Sequence, residues 1–225
     1  MRKAAFPIIM AVVGIAILLG LGIWQVQRLQ WKTAILGDIE ARIVDEAVPL
    51  PGVVDQEAHR YMPVFLPNAR LTGDELHVLV AAERGAGYRI IAAVEVENRL
   101  ILADLGFAYE AARTIDRAAD GLAITGNLHW PDEVDGYTPD PDLGRNIWFA
   151  RDVQTMAQAL GTEPVMVIAR QIEPPPPGTA PLPLGASGIA NDHLEYAITW
   201  FSLALVWAVM SGFLIRRALS PALKD

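Results

Sequence analysis

The sequence predicts a membrane protein in which two transmembrane α-helices, one near each end, flank one extracytoplasmic α+β domain with a mainly antiparallel sheet. Three observations predict it. Two charge-free apolar runs are long enough to cross a bilayer, no third run between them is, and the intervening chain alternates short strand-like runs with turn residues.

The first run extends from Ala4 to Gln27 without a charge, and Pro7 to Ile23 is apolar throughout. A hydrocarbon core of about 30 Å needs about 20 such residues at 1.5 Å each. Arg2 and Lys3 give the run a basic start. Its apolar stretch exceeds that of a signal sequence, and Trp24-Gln25-Val26-Gln27-Arg28 follows instead of a small-residue cleavage site. The expected element is an uncleaved anchor over residues 1–27. No Arg- and Ser-rich presequence precedes it, which points to a bacterial inner membrane. The second run, 196–215, is closed by Arg216 and Arg217 and leaves a tail over 216–225.

Orientation follows from Lys and Arg near the membrane ends. Arg2, Lys3, Arg216, Arg217 and Lys224 lie on the terminal side, against Arg28, Lys32 and Arg42 on the loop side. Both termini are therefore expected in the cytoplasm, with the main domain, 28–195, in the periplasm. That domain is strongly acidic within a chain of net charge −8. It carries no electrostatic footprint for nucleic acid. The chain has no cysteine, which excludes disulfides, thiol redox chemistry and thiolate metal sites.

Within the domain, helical spacing continues past the membrane over 28–48, ended by Pro49, Pro51 and Gly52. Strands are expected at 64–69, 75–82, 88–96, 100–108, 122–130 and 165–170, with Glu97-Asn98-Arg99 as a hairpin connection. A polar loop follows the 122–130 strand. Asp152 is placed to cap a short helix through Leu160, and 174–188 is a proline-rich extended linker.

The chemistry-bearing residues cluster where each helix meets the domain side of the membrane. Trp24, Arg28 and Trp31 are spaced i, i+4, i+7 and share a helical face; His193, Tyr196 and Trp200, spaced i, i+3, i+7, share another. The tryptophans also suit an aromatic belt at headgroup depth. An ionisable His193 at a helix–membrane boundary is a functional candidate. Ala16 and Gly20 form a small-x-x-x-small spacing that permits close helix approach.

Leu21-Gly22-x-Trp24-Gln25-x-x-Arg28-x-x-Trp31-Lys32 and His193-Leu194-x-Tyr196-Ala197-Ile198-Thr199-Trp200-Phe201 resemble the two terminal signatures of the SURF1 (Shy1) family, assembly factors for haem–copper cytochrome c oxidase. Arg60-Tyr61-x-Pro63-Val64, Gly87-Tyr88, Gly126-Asn127-Leu128 and Asn146-x-Trp148-Phe149-x-x-Asp152 fall in the family's order between them. One departure is Asp104-Leu105-Gly106-Phe107, where the family usually has Arg-Gly-Trp.

The resemblance implies that the chain binds haem a and assists its delivery into oxidase subunit I, with haem a synthase as a further partner. It implies His193 as the axial ligand of the haem iron. A neutral imidazole and an aromatic-lined apolar groove suit a haem, and a site at the lipid edge suits the isoprenoid tail of haem a. Tyr196, Trp200 and Trp24 would line the macrocycle. Arg28 would pair with a propionate, or alternatively stack between Trp24 and Trp31. His59, His77 and His129 are the other candidates for a second ligand.

No enzyme is expected. The four serines, Ser187, Ser202, Ser211 and Ser220, sit in no nucleophile-elbow pattern, and no HExxH, P-loop or GxGxxG occurs. Glu95, Glu97 and the Asp132/Glu133/Asp135 cluster have the spacing of solvated strands and loops. A haem-free scaffold for an oxidase intermediate and a membrane-anchored enzyme of unknown reaction are the competing readings.

Overall fold

The computed structural model describes residues 2–82, 85–185 and 191–219. Contacts divide the chain into two compact units, residues 39–186 and the two terminal segments on either side.

α1 (Arg2–Val44) runs for 43 residues, the last of them, from Ile39, belonging to the 39–186 unit, and α3 (His193–Leu219), in the terminal unit, runs for 27. Both are long and apolar enough to cross a bilayer, and the chain is a membrane protein of α+β fold. At 1.5 Å per residue α1 is about 65 Å long, twice a bilayer core. It ends at Val44, before the prolines expected to stop it; Val48–Pro49 is instead a two-residue strand, β1.

The other unit is a closed ring of strands. β2 (Pro63–Ala82), β3 (Gly85–Val96), β4 (Arg99–Ala108), β5 (Ala119–Leu128) and β7 (Met166–Glu173) pair in the order β2-β3-β4-β7-β5, and β5 returns to β2. All these pairings are antiparallel except β4–β7. Order and directions are those of a five-stranded Greek-key barrel of the OB type.

Closure depends on β2. Its first half pairs with β5 (Pro63 to Leu71) and its second half with β3 (Arg70 to Ala82). The two strands expected at 64–69 and 75–82 are thus one 20-residue strand. Gly73, at φ +93°, absorbs the break in register between Leu71 and Glu75. A bulge there turns the strand from one neighbour to the next.

The β3–β4 hairpin turns on Glu97 and Asn98, both at positive φ, as a tight two-residue turn requires. β1 and β6 (Ile147–Trp148) add short parallel pairings to β2 at Val64–Phe65 and His77–Val78. Inward side chains of the ring, among them Leu66, Ile90, Ile101, Leu105, Ile124 and Met166, are fully buried. α2 (Val153–Leu160) supplies Met156 and Ala157 to the same core. Its Asp152 cap accepts from the backbone N–H groups of Gln154 and Thr155, and Gly161 closes it in the left-handed conformation.

The proline-rich segment is extended, as expected, but it is held rather than free. Phe107 and Ala180 exchange two backbone hydrogen bonds of 2.8 Å, and Arg89 donates to the carbonyl of Leu182 at 2.5 Å. A Cβ on Gly106 would collide with the carbonyl of Ala180, and Gly106 sits at φ +98°. Residues 186–188 of the expected linker lie outside the described residues.

Candidate functional site

α1 and α3 pack as an antiparallel pair whose seam follows a heptad-like spacing. Ala11, Gly14, Leu18, Gly22 and Gln25 are among the shielded positions of α1, and His193, Ala197, Trp200, Ala204 and Ala208 are among those of α3. Steps of three and four keep one stripe of each helix facing the other. Large rings fill the notches left by glycines. Trp207 lies against Gly14, and a Cβ on Gly22 would come within 2.7 Å of the Phe201 ring. The expected Ala16/Gly20 pair does not serve this purpose: both are exposed, and Gly20 has no atom within 4 Å of its would-be Cβ. The seam runs on the other side of α1: at about 100° per residue, Gly20 lies roughly 120–180° around the helix from Ala11, Gly14, Leu18, Gly22 and Gln25.

At the end of this seam, His193 Nδ1 lies 2.9 Å from Gln25 Oε1. Gln25 is 8% exposed, a buried amide on an otherwise apolar stripe. With the amide oxygen facing the ring the imidazole donates through Nδ1–H, which in the neutral ring leaves the lone pair on Nε2. Trp200 sits two turns along the same row, partly buried. Tyr196 and Trp24 stand at the margin of the seam, 55% and 54% exposed. Arg28 lies over the Trp31 ring at 3.9 Å from its centroid, an exposed cation–π pair.

Of the sequence-derived site residues, His193 and Trp200 thus share the α3 seam, with Tyr196 and Trp24 at its edges and Arg28 engaged with Trp31. Gln25, a residue of the first signature, joins them as the partner of His193. The signal for it is its heptad register: a lone amide three residues beyond Gly22 on a packed apolar stripe.

The remaining histidines make local contacts, with His77 Nδ1 and His129 Nδ1 buried and without a hydrogen-bond partner. His59 Nδ1 accepts from the Asp55 N–H, His77 Nε2 meets Glu75 at 2.9 Å, and His129 stacks on Tyr61. Among the described residues no group of three or more His, Asp or Glu could hold a metal ion.

The barrel contains a second polar centre. Asp104, fully buried, accepts from Arg89 Nε at 2.7 Å, Arg151 Nη1 at 3.1 Å and the Gly106 N–H at 3.0 Å. Arg151 also clamps Glu133 through Nε and Nη2. Desolvation is the largest influence on Glu133 and would raise its pKa, but the hydrogen bonds and charge of Arg151, with the charge of Arg89, together outweigh it and hold the carboxyl below its ordinary value. Glu133 is an exposed loop carboxylate, as its spacing suggests, whose oxygens face the buried Arg151. Burial first, then the Arg151 and Arg60 charges, push His129 down to about 4. Every charge in the network has a partner of opposite sign, the arrangement a buried structural cluster requires.

The departure at Asp104-Leu105-Gly106-Phe107 is absorbed by these contacts. Asp104 anchors the two arginines, Leu105 fills the core, Gly106 passes under the strap, and Phe107 pairs with Ala180.

The family model that matches the chain is the SURF1 family, over residues 12–205, which includes the barrel, Gln25 and His193 and all the seam positions named above except Ala11, Trp207 and Ala208. The chain belongs to the SURF1 family. It is 30% identical over 220 residues to a SURF1-like protein of Monosiga brevicollis, covering 88% of this chain and 83% of that one. A SURF1-like protein of Rickettsia prowazekii is 29% identical over 205 residues, with coverage of 86% and 83%. Human Surfeit locus protein 1 is 25% identical over 212 residues, covering 82% of this chain and 69% of its own length. In this SURF1 family member the structure sets Gly22 and Gln25 of α1 beside Phe201 and His193 of α3.

Proposed function

We propose that this protein is an assembly factor for haem–copper cytochrome c oxidase, binding haem a as cargo and assisting its insertion into subunit I. The observation that carries the reading is the His193–Gln25 contact, which turns the imidazole so that Nε2 is available to iron. Metal-bound histidines are usually held this way, with the second ring nitrogen donating to a fixed acceptor. His193 is the axial ligand; Tyr196, Trp200 and Trp24 line the macrocycle; Arg28 meets a propionate when it leaves Trp31. A single protein ligand suits a carrier that must release its haem. Haem a synthase is the natural donor, membrane lipid surrounds the helices, and nucleic acid is no partner. The protein is not an enzyme. It sits in a bacterial inner membrane with both termini cytoplasmic and the barrel in the periplasm.

The test is co-expression with the haem a biosynthesis proteins, followed by an absorption spectrum of the purified protein. A Soret band is expected in the wild type, and His193→Ala is expected to lose most of it. A full Soret band in that variant would move the ligand elsewhere. A haem-free wild type on which oxidase assembly still depends would establish the scaffold reading instead.

A further inference from the structure

We infer that Gln25 is the positioning residue of this site: it sets the tautomer and the aim of His193, so that Nε2 is presented as the iron donor. The cargo in this inference rests on the haem reading above; the control of the imidazole does not.

The argument begins with cost. A side-chain amide buried on an apolar stripe is unfavourable unless hydrogen-bonded. Gln25 is so buried, and its oxygen is satisfied by His193 Nδ1 at 2.9 Å. Because that oxygen has no proton to give, the bond exists only when Nδ1 carries one. Histidine free in water prefers the opposite neutral tautomer, with the proton on Nε2. The contact therefore selects the form that can bind a metal through Nε2.

The aim is set by packing. Gln25 stands one turn from Gly22, whose missing side chain admits the Phe201 ring. His193 begins α3, one turn before the buried Ala197. The two partners are thus held at a fixed separation by the same glycine notch that seats the helices. A loop-borne acceptor would lack that constraint.

A plain interhelical staple would use the same hydrogen bond, so the test must read the imidazole itself. The full chain is placed in lipid nanodiscs with ¹⁵N-labelled histidine, and His193 is assigned by its loss in His193→Ala. The wild type is expected to show the Nδ1–H tautomer, and Gln25→Leu to shift His193 toward Nε2–H. Haem a extracted from purified oxidase is then titrated in. Gln25→Leu should bind it roughly 10- to 100-fold more weakly. Gln25→Glu keeps the acceptor, strengthens the imidazole as a donor, and should retain haem with a lowered reduction potential.

A wild-type His193 protonated on Nε2 overturns the inference. So do equal affinities and potentials in the wild type and both variants. If the wild type takes up no haem a while its tautomer still depends on Gln25, the control of His193 stands and the cargo reading falls.

Discussion

The side-chain amide of Asn127 donates to the carbonyl of Ile43 at 2.9 Å, giving the last turn of α1 a partner from the barrel wall. Arg170 Nη1 reaches the same carbonyl at 2.8 Å. The last carbonyls of a helix have no partner within it, and a cation there also complements the helix dipole. Asn127 is fully buried, and its second amide hydrogen goes to the carbonyl of Tyr61. Asn127→Leu removes the donor to the Tyr61 carbonyl and one of two donors to the Ile43 carbonyl, and should cost about 2–3 kcal/mol. Arg170→Met leaves the Asn127 bond intact and should cost about 1 kcal/mol. Guanidinium denaturation of the two variants checks the ranking; equal losses would contradict it.

Asp104 is the hub that makes two buried arginines tolerable. Asp104→Ala strands Arg89 and Arg151 in the barrel with one carboxylate, Glu133, left between them. Breaking a buried pair by removing one partner typically costs about 3–5 kcal/mol. The variant should unfold at markedly lower denaturant than wild type. A loss below about 1 kcal/mol would mean that water reaches the cluster and screens it.

His129 ties stability to pH. Its folded pKa is lowered from 6.5 to about 4, chiefly by burial. Between those values the unfolded chain binds a proton that the folded chain refuses. Stability is therefore greatest above about pH 6.5, falls as the pH drops toward 4, and gains no further penalty from this group below that. His129→Phe keeps a ring on Tyr61 and removes the titration. Its denaturation midpoint should fall less than that of wild type between pH 7 and pH 5; parallel curves would refute the assignment.

Gly106 carries the proline-rich strap across β4. Gly106→Ala puts a methyl group against the Ala180 carbonyl and forces a non-glycine residue to φ +98°. The backbone term alone is about 1–2 kcal/mol. The strap should detach locally, so limited proteolysis within 177–185 should accelerate while the barrel core stays protected.

Elements whose physics is local were legible in the sequence. Twenty charge-free residues announce a membrane helix, Asp152 announces a cap, and alternation at 88–96 announces a strand. Ring closure was not legible, because it depends on one strand serving two neighbours. Gly73 reads as an ordinary turn until its register shift is seen. β1 and β6, two residues each, are too short to carry a pattern. The site divides the same way. His193 stood out as an ionisable group at a helix boundary, whereas Gln25 gains meaning only through a partner 168 positions away.

The helix seam makes a prediction that two glycines can decide. Gly14 and Gly20 lie in the same apolar run, and sequence spacing favours Gly20, four residues from Ala16, as the close-approach point. The packing places Trp207 on Gly14 and nothing on Gly20. Gly14→Leu must therefore displace the indole, whereas Gly20→Leu adds a side chain on an exposed face of the helix. With 5-fluorotryptophan incorporated, the six tryptophans give separate ¹⁹F signals, and Trp207→Phe identifies one of them. That signal should move in Gly14→Leu and stay in place in Gly20→Leu. The reverse pattern would return the seam to the Ala16/Gly20 face and detach Gln25 from His193, since both contacts belong to one heptad register.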